Sequence, residues 1–475
     1  MKEILYSVSG VLILNFIISK KISSYHFWSG FLLILVFLTS FYGAVNWGHI
    51  GQIIAPDEMQ RMLVPNYIFN YHKLPYGTEE AVRIQLWGFS YAMQPYFPSI
   101  LASIFMGIGD VLNSPITNYS PTGLSRLDVH LWARLVSVFA GTATVFLALK
   151  IGKRVFKKEN TVILFAALTG LIPQFIYLSS YFNNDIFSVF TTYLIVYAWL
   201  RGRDSGWEWK DCILLSVALA MCLLTYYFAY AFVIGSVIIF NVIMYSKKSR
   251  KSKEWIKKEL FIIGLVFLLA GWFFIWNYIK FNDFIGLKTT AYYGEMFGST
   301  SPPLKPSLRL TPENLKQSLS EMLFRPHPTS DWSEGRDWFN LSWTSFLGNF
   351  GLMQVPLSNI IYMIYSVLIS IGFSFGIIRT IYRSYKSSLV NNVFRIVLIF
   401  CMVLPILFSI YFSYTSDFQP QGRYIISMTL PLMLCTTYGY ESIDSKFKYT
   451  TRIVTVLLVL IFLLIFFTVM LPNLA

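Results

Sequence analysis

Apolar residues in this chain gather into long unbroken runs, separated by short polar or basic segments. They do not alternate as in half-buried strands, nor recur along one stripe as in a soluble helix. Twelve runs, at 4–19, 28–46, 130–149, 161–179, 184–200, 211–226, 228–245, 260–280, 358–378, 393–413, 424–440 and 453–471, approach the length that crosses a bilayer. A helix needs about 17–25 apolar residues for that crossing. Helices are the expected form, because backbone groups in hydrocarbon must bond within their own segment. The region 95–112 is apolar but bounded by prolines and interrupted by Gly107 and Gly109, which predicts an interfacial helix. Two long loops, 47–129 and 281–357, complete the pattern. The first opens on a predicted helix with Asp57 as its N-cap, Met62 and Phe69 toward one face, and Leu74-Pro75 as its stop. The second, rich in turn formers and aromatics, predicts an ordered cap rather than a linker.

Composition agrees: 55% of the 475 residues are hydrophobic and 13% charged, about half the charge of a soluble domain. The predicted fold is therefore an all-α polytopic membrane protein. It forms one membrane domain over 1–475, with no internal repeat and no removable leader. Well over half of the 38 Lys and Arg residues fall in alternate short connections, among them Lys20–Lys21, Lys150–Lys158 and Lys247–Lys258. The positive-inside rule then places both long loops outside the cytoplasm. Topology and anionic lipid thus account for the net charge of +14, and no nucleic-acid partner is implied.

The four cysteines all lie in apolar runs and form no CxxC pair, and the five histidines show no metal-binding spacing. The candidate chemistry is carried by acids and arginines at the predicted outer rim. Asp57 and Glu58 follow the run that ends at Trp47. Adjacent helical residues point about 100° apart, so one acid can face a cavity while the other caps the helix or pairs with Arg61. Asp185 sits in the short turn Asn183-Asn184-Asp185, where turn chemistry alone also explains an acid. Together such acids can position an acceptor, divide the base role, or hold a divalent cation through oxygen ligands. The run Asp331-x-x-Glu334-x-x-Asp337 is a further candidate for a cation. Arg423, clustered with Gln421, Gly422 and Tyr424, stands where a guanidinium needs an anion, and its forked donors suit phosphate. Arg134 is a second cation at a helix mouth. Asn277 closes an aromatic belt and, with Lys280 to Lys288, is placed to line a cavity rim.

In order along the chain stand Pro56-Asp57-Glu58, Leu74-Pro-Tyr-Gly77, Gln94-Pro-Tyr-Phe-Pro98, Ala133-Arg-Leu-Val-Ser137 and Asn183-Asn-Asp185. Then come Gly271-Trp-Phe-Phe-Ile-Trp-Asn277, Ser345-Phe-Leu-Gly-Asn-Phe-Gly351 and Gln421-Gly-Arg-Tyr424. This ordered set resembles the GT-C superfamily of integral-membrane glycosyltransferases, in particular the bacterial branch related to protein O-mannosyltransferases and the aminoarabinose–lipid A transferase. The resemblance implies a polyprenyl-phosphate-linked sugar donor and a catalytic group of Asp57, Glu58 and Asp185, with Asp57 as base. It places Arg423 near the donor phosphate; Arg134, Lys288, Tyr424 and Gln421 are further candidates there, and Arg61, Asn184, Asn277 and Gln94 are candidates for the acceptor pocket. Three features depart from the pattern: Arg61 stands where many relatives have His, Tyr226 follows Thr225 where a Lys is common, and the full double proline is absent from the stretch near Gln94.

The expected activity is inverting transfer of a hexosyl or pentosyl group to a glycan, lipid or protein acceptor of the cell envelope, at the extracytoplasmic face. An outward-facing transferase has no nucleotide-sugar supply, and the chain shows no GxGxxG context for one. Competing readings are a flippase for lipid-linked saccharide and a polysaccharide polymerase or ligase. Transporters favour mid-membrane polar residues and repeated halves, whereas here the polar residues gather at a rim. Everything rests on Asp57 and Arg423 meeting in one pocket.

Overall fold

The computed structural model describes residues 24–47, 55–112, 127–246, 252–325, 337–384 and 387–474. The expected span 4–19, most of the basic run at 247–253 and the acids Asp331 and Glu334 lie outside them. The described chain is almost wholly helical. Its first half comprises α1 (Ser24–Asn46), α2 (Glu58–Tyr71), α3 (Phe97–Val111), α4 (Leu127–Val155), α5 (Glu159–Gly170), α6 (Pro173–Leu178), α7 (Asp185–Ser205) and α8 (Trp209–Leu223). The second half comprises α9 (Tyr230–Ser246), α10 (Ser252–Phe281), α11 (Leu287–Phe297), α12 (Leu319–Phe324) and α13 (Trp338–Gly348). A two-residue hairpin follows, β1 (Asn349–Phe350) against β2 (Val355–Pro356), then α14 (Asn359–Ser384), α15 (Leu389–Thr415), α16 (Thr429–Asp444) and α17 (Thr450–Ile465).

Seven of the described helices, α1, α4, α9, α10, α14, α15 and the one built on α17, are long and apolar enough to cross a bilayer, and the chain is a multi-pass membrane protein. The expected twelve spans are not reproduced as twelve long helices. The run 161–179 divides into α5 and α6, because Pro173 restarts the helix after Gly170. The run 184–200 is α7, which carries Asp185, Arg201, Arg203 and Asp204. The run 211–226 gives only the 15-residue α8, and 424–440 begins as a 3-10 turn (Gly422–Met428) before α16.

Helix α4 is central, packing against α1, α3, α5 and α7, while α5 also meets α16 and α17. Every residue of α5 from Thr161 to Gly170 is buried. By contrast, α10 and α14 leave most of their apolar surface uncovered. All three helices are strongly apolar; what differs is how much of each the rest of the protein covers. The predicted interfacial segment is the 15-residue α3, about 22 Å long at the α-helical rise. Its Gly109 lies against Trp132 and its Phe105 against Phe139, both on α4, while Ile104, Ile108 and Val111 stay exposed along one stripe.

The two long loops dock on each other. The backbone N–H of Ser299 donates to Leu86 O at 2.9 Å, and the Arg83 guanidinium stacks on Phe297. Gly88, at φ 79°, lies so close to Phe297 and Gly298 that any Cβ there meets backbone. The second loop also ties to the end of α15: Tyr414 donates to Gln317 O at 2.9 Å, and Trp338 Nε1 donates to Ser413 Oγ at 2.9 Å. Its described residues are thereby fastened both to the first loop and to α15.

Candidate active site

Helix α2 begins at Glu58, and Asp57 precedes it in a left-handed conformation (φ 60°, ψ 3°). The expected side-chain N-cap is absent: Asp57 makes no capping bond, and its carboxylate turns instead to Arg423. The helix ends earlier than Leu74-Pro75, at Tyr71, where His72 adopts a left-handed cap. Arg423 Nη2 donates to Asp57 Oδ2 at 2.7 Å across 366 positions of chain, so the expected meeting of these two residues is found.

The local fold explains why Arg423 is there. Gly422 starts the 3-10 turn, and its N–H donates to Ser345 Oγ at 2.7 Å. A Cβ on Gly422 would overlap the Phe346 backbone, so this approach requires glycine. The segment Ser345–Gly351 is in turn fixed to α6: Gln174 accepts from the N–H of Asn349 and Tyr177 from that of Gly351. Arg423 is left 4% exposed, whereas Asp57 keeps 32% of its side chain exposed.

Around this pair lies a wider polar network. Arg423 Nη2 also donates to the Tyr424 hydroxyl at 3.1 Å, and that hydroxyl donates to Gln419 Oε1 at 2.7 Å. Gln421 donates to the same oxygen, and Gln419 Nε2 donates to Asp417 Oδ2 at 2.8 Å. Arg61 stacks over the Tyr91 ring, 4.3 Å from its centroid. Asp185 is 0% exposed at the start of α7, and neither of its oxygens has a hydrogen-bond partner among the described residues. The same holds for Arg423 Nε and Nη1, Arg61 Nε and the Tyr181 hydroxyl. These groups lie within electrostatic reach of one another. Unpaired buried polar atoms are costly, and a cluster of them marks a place built for something beyond folding.

Burial alone pushes the Asp57 carboxyl up. The cations of Arg423 and Arg61, with hydrogen bonds from Arg423 and Tyr91, outweigh it and hold the group below its ordinary value of 3.8. Asp417 moves the other way: burial raises it, Arg309 and Gln419 oppose, and the Asp57 charge adds to the rise.

Glu58 has a different role from its neighbour. Arg134 grips it with two bonds, Nε to Oε1 at 2.8 Å and Nη2 to Oε2 at 2.6 Å. The Phe182 N–H donates to Oε1 at 2.8 Å, and Arg134 Nη1 donates to the carbonyls of Ala44 and Trp47. The pair ties α1, α2, α4 and the turn before α7 together, and Arg134 spends its donors there rather than toward a phosphate.

Of the remaining expected site residues, Gln421 and Tyr424 join the Arg423 network. Asn184 donates to Thr225 O at 3.3 Å beside Asp185. Asn277 donates to Met93 O at 2.9 Å, fastening the first loop to the end of α10, and Gln94 donates to Thr290 at 3.4 Å, fastening the first loop to α11. Lys288 is exposed on α11. Tyr91, Tyr181 and Asp417 belong to the site but were not anticipated. Asp417 is the most legible of the three, standing six residues before Arg423.

Among the described residues, no three His, Cys, Asp or Glu side chains converge as metal ligands. Asp57 and Asp185 face Arg423 and Arg61, which already supply countercharge. That donor set does not fit a divalent cation.

A sequence profile of the family described as dolichyl-phosphate-mannose-protein mannosyltransferase matches residues 114–276, about a third of the chain. No curated protein sequence matches the chain. Similar solved structures include the oligosaccharyltransferase of Archaeoglobus fulgidus in its apo form, with 11% identity, TM-score 0.48, and coverage of 92% of this chain and 52% of that one. The oligosaccharyltransferase AglB, also from Archaeoglobus fulgidus, in complex with an inhibitory peptide and a dolichol-phosphate gives 13% identity, TM-score 0.46 and coverage of 93% and 54%. ArnT from Cupriavidus metallidurans bound to undecaprenyl phosphate gives 12% identity, TM-score 0.32 and coverage of 88% and 78%. The chain thus spans about half the length of the archaeal oligosaccharyltransferases.

Proposed function

We propose that this protein is a membrane glycosyltransferase that moves a sugar from a polyprenyl-phosphate donor to a hydroxyl of a cell-envelope acceptor, at the extracytoplasmic face. The observation that carries the reading is the contact between Asp57 and Arg423, an acid and a cation from opposite ends of the chain, in a cluster that also holds Arg61 and Asp185. The profile match supports it, because its description names a lipid-phosphate-linked sugar.

In the proposed reaction the acceptor oxygen attacks the anomeric carbon as its proton passes to Asp57. The bond from that carbon to the phosphate oxygen breaks, and its electron pair leaves on the lipid phosphate. Arg423, with Arg61 behind it, stabilises the departing anion, as preorganised cations do best in a water-poor site. A single displacement inverts the anomeric configuration. The buried Asp185 lies within electrostatic reach of both guanidinium groups and offsets their charge.

Asp57→Asn is expected to lose transfer by about 10²–10⁴-fold, the usual contribution of a general base, while keeping the elution profile of the folded protein. The assay is transfer of labelled sugar from polyprenyl phosphate to envelope extract by purified protein in liposomes. Full activity in the variant removes Asp57 from the mechanism. Movement of the labelled lipid across the bilayer without a new glycosidic bond would point to transport instead.

A further inference from the structure

We infer that Asp57 and the donor phosphate compete for Arg423, so that the base is held masked on its cation until lipid phosphate displaces it. The inference rests on the proposed reaction and adds its order: donor first, acceptor second.

The geometry makes Arg423 the fixed partner and Asp57 the movable one. Arg423 is buried, bonded to the Tyr424 hydroxyl, and carried on a turn locked by the Gly422–Ser345 bond. The Tyr424 ring is itself packed on Phe228. Asp57 is about a third exposed, makes no capping bond, and sits in a backbone conformation that non-glycine residues seldom adopt. Rotation about its side-chain bonds is enough to swing the carboxylate off Arg423.

Two further observations say what replaces it. Arg423 offers more donors than Asp57 takes: Nε and Nη1 are buried without partners among the described residues. The non-bridging oxygens of a phosphodiester match such a fork better than one carboxylate oxygen. A second cation also lies near, because Arg61 has a buried, unpartnered Nε and lies within electrostatic reach of Asp57, so the charge of the freed carboxylate stays compensated without a bond to it. An anion arriving on Arg423 repels Asp57 and Asp185 alike, but only Asp57 is exposed enough to move. While it accepts a charge-assisted bond at 2.7 Å, Asp57 is a poor acceptor for a hydroxyl proton. Phosphate binding therefore creates the base.

The test is binding of undecaprenyl phosphate to the purified full-length protein in detergent, measured by titration calorimetry for wild type, Asp57→Asn, Asp185→Asn and Arg423→Gln. Asp57→Asn removes the competitor and is expected to tighten binding roughly fivefold, the scale of a partly exposed ion pair. Asp185→Asn removes an equal charge without a bond to Arg423 and is expected to change binding by less. Arg423→Gln is expected to weaken it. Unchanged or weaker binding in Asp57→Asn, or equal tightening in both aspartate variants, overturns the masking while leaving the phosphate site in place. Unchanged binding in Arg423→Gln overturns the phosphate site itself. If the Asn variant is not monodisperse, Asp57→Ala makes the same comparison.

Discussion

The buried pair of Glu58 and Arg134 offers a sharp test of the architecture, because its cost of removal follows from its bonds. Glu58 accepts two bonds from Arg134 and one from the Phe182 N–H, with side chains 11% and 15% exposed. Glu58→Ala strands a guanidinium and a backbone N–H in a place that water scarcely reaches. Removing one partner of a buried ion pair costs about 3–5 kcal/mol. A chain of 475 residues has an unfolding entropy of about 1 kcal/mol/K at typical per-residue values, so the expected fall in Tm is about 3–5 °C. Thermal unfolding in detergent, followed by tryptophan fluorescence at one fixed scan rate, measures it. The double variant Glu58→Ala/Arg134→Met should recover part of the loss, because no unpaired charge remains. A single variant within about 1 kcal/mol of wild type, or strict additivity in the double, would refute the claim that the pair holds four elements together.

Two other outcomes follow from the same structure. In the unfolded chain Asp417 ionises near 3.8, whereas in the folded protein burial keeps it protonated to higher pH. Below 3.8 both states carry the proton and the residue contributes nothing; as pH rises past that value the unfolded chain loses its proton first, and folded wild type loses stability relative to Asp417→Asn. The gap in Tm between variant and wild type should therefore widen from about pH 4 upward until the folded value is passed, and a gap independent of pH would count against a strained carboxyl. Gly422→Ala must push the Phe346 backbone away from the Arg423 turn; the expected outcome is loss of transfer together with lowered stability, and a variant with wild-type activity would show that Arg423 is not held by this approach.

Much of the molecule follows from local sequence. Long apolar runs at low charge dictate membrane helices, and the positions of α1, α4, α9, α10, α14 and α15 agree with the runs that predict them. The candidate residues Asp57, Asp185 and Arg423 were legible because charge beside hydrocarbon is costly, so a charge that persists there needs a partner. Sequence could not decide which helices face lipid. A run such as 161–170 avoids water equally well under lipid or under other helices, and only packing shows α5 to be enclosed. Nor could it assign partners. Asp57 and Glu58 are neighbours with the same chemistry, yet the left-handed turn at Asp57 sends one carboxylate to Arg423 and leaves the other to Arg134. That division is set by backbone geometry at one residue and by contacts hundreds of positions away, neither of which is written in local hydropathy or charge.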